Sequence, residues 1–166
     1  MPALNQSVNK PRSGYSLVEL IISISIMLVL VGGGLAAYRE FDARQSLVNG
    51  GRDLASNLRV AQKKAQAGEK PNSPECINDT LESWRVFNQT GSTTAYSIRA
   101  ICGGQVSSTP TQDFTLPQDV EISSGDFSLD FAVLSGKLSS SQTIILAKNS
   151  EVFSVQVTSA GGINEQ

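Results

Sequence analysis

One carboxylate stands inside an otherwise uncharged apolar run: Glu19, in SGYSLVELIISISIMLVLVGGGLAAYREF, residues 13 to 41. A charge removed from water without a partner costs several kcal/mol, so Glu19 needs a donor or a cation. No side chain of the run supplies one, since Leu20 to Tyr38 carries no charge. A local backbone partner is available. Ser16-Leu17-Val18-Glu19 has the S-x-x-E spacing of a capping box, in which Glu19 accepts from the Ser16 amide. That spacing leaves Gly14, just ahead of the run, unexplained. Elsewhere the residue types close off most chemistry. The chain has no histidine, which removes Ser–His and Cys–His nucleophiles, and no G-x-S-x-G. Ser135-Gly136-Lys137 reads as a turn rather than a Ser–Lys pair. Asp126 and Asp130 lack EF-hand spacing, and no phosphate-cradling loop joins a strand to a helix. Cys76 and Cys102 have no further Cys or His at ligand spacing, so neither a zinc site nor a CxxC redox site is expected. The expectation is a non-enzyme with no cofactor and no metal.

The run itself has membrane dimensions. About 20 apolar residues at 1.5 Å rise match a hydrocarbon core roughly 30 Å thick. Ser23 and Ser25 are compatible with it, because a helical Ser bonds back to a carbonyl one turn earlier. Lys10 and Arg12 precede the run and keep that side cytoplasmic. One span is expected, with everything beyond about residue 38 outside the cytoplasm. A secretory signal is the alternative, with Gly34-Leu35-Ala36 as its cleavage region. Against it, Glu19 sits where such a signal is uncharged. The formal net charge is −2, and past Arg12 the chain holds 13 − 2 = 11 basic against 15 acidic side chains. That balance gives no electrostatic reason to expect nucleic acid as the main partner.

Gly14-Tyr15-Ser16-Leu17-Val18-Glu19-Leu20 resembles the prepilin signature of type IV pilins and type II secretion pseudopilins. That pattern is a glycine, an aromatic, Thr or Ser, two aliphatics and a glutamate; Tyr15 and Ser16 stand where Phe and Thr are commoner. The resemblance implies a leader, residues 1–14, that a membrane aspartyl prepilin peptidase cuts after Gly14. It implies N-methylation of Tyr15 as the new N-terminal residue. It also implies that Glu19 of an incoming subunit meets the N-terminal amine of its neighbour in a growing filament. The physics agrees: opposite charges at about 4 Å attract by roughly 4 kcal/mol at an effective dielectric near 20. The implied partners are other pilin or pseudopilin subunits, the peptidase, an inner-membrane assembly platform and membrane lipid.

Beyond the span, Leu47, Gly51, Leu54, Leu58, Ala61 and Ala65 form one stripe at helical period, and Gly68 and Pro71 end the pattern. Residues 39–67 are therefore expected to continue the helix of 15–38, either as one rod of about 80 Å or as a separate surface helix. Gly32-Gly33-Gly34 is its weak point, each Gly costing about 1 kcal/mol against Ala. Local helix melting, which the family resemblance suggests, and close helix approach through small residues both remain open there. Residues 68–80 read as a loop.

Residues 81–166 read as short strands and turns: Trp84–Phe87, Tyr96–Cys102, Phe114–Leu116, Val120–Ile122, Phe127–Val133, Thr143–Ala147 and Phe153–Val157. The expected fold is α+β, a long N-terminal helix packed on an antiparallel β head. The order of the last strands looks like H-type (GspH/FimT-like) minor pseudopilins, whose heads are β-sandwiches. Cys76 and Cys102 lie on the oxidising side of this topology. A bond between them is worth ~3.5 kcal/mol on loop entropy; two free buried thiols are the other reading. The function expected is a structural subunit, minor rather than major, of a type IV pilus or a type II secretion pseudopilus. The rivals are a DNA-uptake minor pilin, for which no basic residue follows Lys148, and a membrane-tethered binding domain that never polymerises.

Overall fold

The computed structural model describes residues 14–109 and 112–166, and for residues 33–37 the backbone alone. The expected leader lies, apart from Gly14, outside the described residues. The chain divides into two compact units, one ending at Glu40 and the other Phe41–Gln166. The helix α1, Leu17–Ala67, contributes residues to both. Its backbone is helical through Gly32, Gly33 and Gly34, and no heavy atom lies within 4 Å of a Cβ built on Gly32.

In the first unit the helix is apolar on every side. The large hydrophobics from Leu17 to Val31 are all exposed, from 50% at Ile24 to 75% at Val29. A helix that is hydrophobic all round is stable only when covered, by lipid or by other helices. Ser23 Oγ donates to Glu19 O at 2.7 Å and Ser25 Oγ to Ile21 O at 2.8 Å, which removes the cost of two hydroxyls in an apolar stretch. Among the described residues no helix is long and apolar enough to cross a membrane. Leu17 to Gly32, where the described side chains break off, is 16 residues, short of the roughly 20 a span needs.

In the second unit α1 is amphipathic, and its stripe is the spine of the core. Leu47, Gly51, Leu54, Leu58, Ala61 and Ala65 are all buried, joined by Ala43, Gly50 and Ala55. The helix stops at Gly68, whose φ of +62° suits glycine. Gly68 N–H donates to Ala65 O and Glu69 N–H to Lys64 O, each at 3.0 Å, the paired bonds of a Schellman cap. The expected loop 68–80 holds one helical turn, α2, Pro74–Ile77, with Pro74 opening it. Pro is pre-shaped for the first helical position, which is why a turn forms in a stretch without periodicity.

The β head is two antiparallel sheets. The first contains β1 (Leu81–Asn88), β2 (Ala95–Cys102), β3 (Gln105–Val106), β4 (Gln112–Thr115) and β6 (Ser128–Ala132). Its order is β3-β2-β1-β6, with β4 also paired to β2. The second contains β5 (Glu121–Ile122), β7 (Gln142–Lys148), β8 (Glu151–Val157) and β9 (Ile163–Glu165), in the order β5-β7-β8-β9. Alternation decides the faces. Trp84 pairs with Phe131 and Ala100, and Val86 with Leu129 and Ile98, all buried. In the second sheet Ile144 pairs with Val155 and Leu146 with Phe153. These side chains and the helical stripe form one buried cluster.

Polar side chains fasten the second unit's helix to both sheets. Asn57 Nδ2 donates to the Tyr96 hydroxyl at 2.7 Å, and Arg59 Nη2 reaches Glu165 Oε1 at 2.8 Å. Gln62 Nε2 donates to Gly136 O at 3.1 Å and to Gly161 O at 2.8 Å. Near the cap, Trp84 Nε1 donates to Glu69 O at 3.0 Å, and Lys64, ion-paired with Glu69, stands over the Trp84 ring.

Candidate functional site

The residues singled out around Glu19 occupy the start of α1. Gly14, Tyr15 and Ser16 are non-helical and exposed, and no heavy atom lies within 4 Å of a Cβ built on Gly14. The Gly14–Tyr15 peptide bond thus lies in exposed, non-helical chain. Ser16 O accepts from Leu20 N–H at 3.1 Å, so regular helix begins directly after Ser16. Glu19 lies in the first turn, where the free N–H groups and the dipole favour an acid. Among the described residues its carboxylate has no hydrogen-bond partner, so the reciprocal Glu19–Ser16 bond of a capping box is not formed. The acid stands exposed at the head of an uncovered apolar helix, four residues from Tyr15.

Gly32, Gly33 and Gly34 lie further along the same helix and do not converge with Glu19. Cys76 and Cys102 belong to the other unit. Their sulfurs are bonded, with Cα atoms 5.1 Å apart and both residues fully buried. The bond ties α2 to the end of β2. A second tie lies beside it: Ser108 N–H and Ser108 Oγ each donate to Glu75 Oε2 at 3.1 Å. These bonds, the backbone one foremost, hold the Glu75 carboxyl down at about 2.

The outward face of the first sheet carries a ladder of charges that periodicity did not single out. Arg85 and Arg99 are directly opposite on β1 and β2. Like charges so placed repel, and each is relieved by an aspartate on its far side. Asp130 accepts from Arg85 Nε at 2.6 Å and Nη2 at 2.8 Å; this raises the Arg85 pKa, with burial opposing. Asp113 accepts from Ser97 Oγ at 2.6 Å and Arg99 Nη2 at 3.1 Å, and both bonds lower its pKa. On the inner face, burial raises the Tyr96 pKa, and the Asn57 bond works against it. The signal for the ladder was present as alternating Arg85 and Arg99, but their aspartates come from strands 14 and 45 residues away. Among the described residues no group of His, Cys, Asp or Glu is placed to hold a metal ion.

Residues 9–35 match the family described as the prokaryotic N-terminal methylation motif. The segment around Gly14, Tyr15 and Glu19 thus carries the prepilin signature of type IV pilins and pseudopilins. The motif supports a pilin-like or pseudopilin-like subunit, and the family it points to is structural. It implies assembly with other pilin subunits and cleavage by the prepilin peptidase. No curated protein and no solved structure matches the chain.

Proposed function

We propose that the chain is a minor subunit of a type IV pilus or a type II secretion pseudopilus. The peptidase removes residues 1–14, and Tyr15 is methylated at its new amine. Residues 15–38 then hold the protein in the cytoplasmic membrane as a single span, with residues 81–166 outside the cytoplasm. The assembly platform extracts it into a filament in which Glu19 neutralises the amine of an adjoining subunit. The observation that carries this reading is the methylation motif over 9–35, coupled to an apolar helix exposed all round. Such a surface is stored in lipid and covered by neighbouring helices on assembly. A head of two antiparallel sheets supports the H-type assignment within the class. The triple glycine, helical here, is the place where subunits would unwind in a filament.

N-terminal sequencing of the membrane-extracted protein tests the reading. A methylated Tyr15 start is expected. A start at Ala37 would make the segment a secretory signal, and an intact Met1 would make it a static anchor.

A further inference from the structure

β6 is an edge strand whose outward backbone groups are unused at Ser128 and Asp130, while those of Ala132 are taken by the following turn. Ala132 N–H donates to Lys137 O at 2.9 Å, and Ala132 O accepts from Gly136 N–H at 2.8 Å. In the β1–β6 ladder Phe87 pairs with Ser128, Val86 with Leu129, Arg85 with Asp130 and Trp84 with Phe131. Asn88 N–H donates to Phe127 O, and Val133 N–H to Glu82 O, just beyond the two ends of the ladder. Antiparallel pairs alternate between bonded and non-bonded, so Leu129 and Phe131 carry the bonds to β1. Ser128 and Asp130 turn their N–H and C=O groups the other way. Among the described residues none of these four groups has a hydrogen-bond partner.

Space lies along the same edge. Two hollows of about 440 Å³ each flank β6. Arg85, Phe87, Ser128 and Gln142 line the first; Ser83, Asp130, Ala132 and Lys137 line the second. Each therefore draws on β1 and β6, the first also on the start of β7 and the second on the chain leading into it. Gln142 Oε1 is without a partner among the described residues. The strand, Ser-Leu-Asp-Phe-Ala, has no Pro, no Lys and no bulge to blunt its edge, and the turn that follows it closes over Ala132 alone. Its single charge, Asp130, is drawn back onto Arg85. The other edge strands, β3, β4, β5 and β9, are shorter than β6, at two, four, two and three residues.

We propose that β6 takes an extended, basic segment of another protein as an added strand. Its backbone would bond to Ser128 and Asp130, and alternate side chains would enter the two hollows. Charge selects the occupant. With the Arg85–Asp130 pair cancelling, Glu82 and Asp126 outweigh Lys137 along the hollows. A second copy paired β6 to β6 about Asp130 would set acid against acid, which disfavours self-association at this edge.

Amide hydrogen exchange on the full-length protein in detergent tests this. The probe is an acetylated seven-residue peptide, Thr-Lys-Val-Thr-Val-Lys-Thr amide, at millimolar concentration. Exchange at Ser128 and Asp130 should slow by about tenfold or more, with Leu129 and Phe131 unchanged because they are already bonded. Ser128→Pro removes one outward N–H and leaves the β1 ladder intact, and it should weaken peptide binding about tenfold. Unchanged exchange at both amides overturns the proposal. Equal protection by the same peptide with Glu for Lys overturns the charge selection. Protection that grows with protein concentration in the absence of peptide makes the occupant a second copy, and overturns the assignment to another protein.

Discussion

Gln62 Nε2 lies 2.8 Å from the carbonyl oxygen of Gly161, and the same nitrogen serves Gly136 O at 3.1 Å. One helical side chain thus clamps the turn after β6 and the turn after β8. Both glycines have positive φ, +62° and +91°; a Cβ on Gly161 would run into Gln62 Nε2, and one on Gly136 would lie 2.7 Å from the Gln66 side chain and 3.0 Å from Gln62 Cγ. Gln62→Ala leaves two carbonyls without this donor, and should cost about 1–3 kcal/mol. Urea unfolding of the full-length protein followed by Trp84 fluorescence measures the loss. A midpoint equal to the parent's would show that water satisfies both carbonyls.

Two glycines of one helix should respond oppositely to alanine. A Cβ on Gly51 would come within 2.1 Å of the Phe153 ring, whereas Gly32 has open space around it. Gly32→Ala should raise helix stability by about 1 kcal/mol, seen as helicity by circular dichroism in detergent. Gly51→Ala gains the same propensity but overpacks the core, and a net loss of about 1–2 kcal/mol is expected. Stabilisation by both substitutions would mean that Phe153 moves aside freely.

The buried bond between Cys76 and Cys102 closes a loop of sequence separation 26. Replacing both with Ala should cost ~3.5 kcal/mol on loop entropy. Unfolding in the presence and absence of reductant should then differ for the parent protein and coincide for the variant.

Glu75 gives the fold an acid-side dependence. Its carboxyl is lowered from the ordinary 4.5 to about 2 in the folded chain. A depressed folded value favours the ionised form, so the stabilisation is complete above the unfolded value and is lost as pH falls through about 2. Glu75→Gln should lower the urea midpoint at neutral pH, and the difference from the parent should shrink between about pH 4.5 and 2. A difference that is constant with pH would point to the Ser108 bonds alone rather than to charge.

For the proposed assembly role, Glu19→Ala should leave the protein in the membrane fraction and its Tyr15 methylated. Incorporation into filaments should drop by about tenfold or more, because the neighbour's amine loses its counter-charge. Immunoblotting of sheared filaments against the membrane fraction reads this directly. Normal incorporation would remove Glu19 from assembly.

The parts of this fold legible in the sequence are those with a period. The stripe from Leu47 to Ala65 read correctly because helical spacing alone determines which residues meet the core. The paired strands around Trp84, Ile98, Ile144 and Val155 read correctly because alternation does the same. Ala43, Gly50 and Ala55 widened the stripe unannounced, since small residues carry little hydrophobic signal. The strands β3 and β9 were missed. They are short and mostly polar, and distant partners create them; β9 is held by β8 and by Arg59. Val133 continued an alternation, and its N–H still donates in register to Glu82 O, but it lies past the end of β6 because the chain turns there. Leu134, at φ +63°, sends its N–H to Ala65 O at the helix end, and Gly136 N–H takes Ala132 O. At the candidate site, motif spacing picked out Gly14, Tyr15 and Glu19, which fall within the stretch 9–35 that the methylation motif covers. The outward ladder needed the register between strands that no local pattern encodes.

The helical stripe also fixes where this protein can be shortened. A version starting at Gly68 would look like an intact β head on paper, yet it would lack Leu47, Leu54 and Leu58, all buried to 2% exposure or less. Phe153 would lose the glycine it rests on, and Tyr96 its donor Asn57. Such a fragment should precipitate or collapse, whereas one beginning near Phe41 retains every side chain the sheets lean on. For crystallography or binding work, the tail end of the helix is a component of the head and cannot be discarded as its stalk.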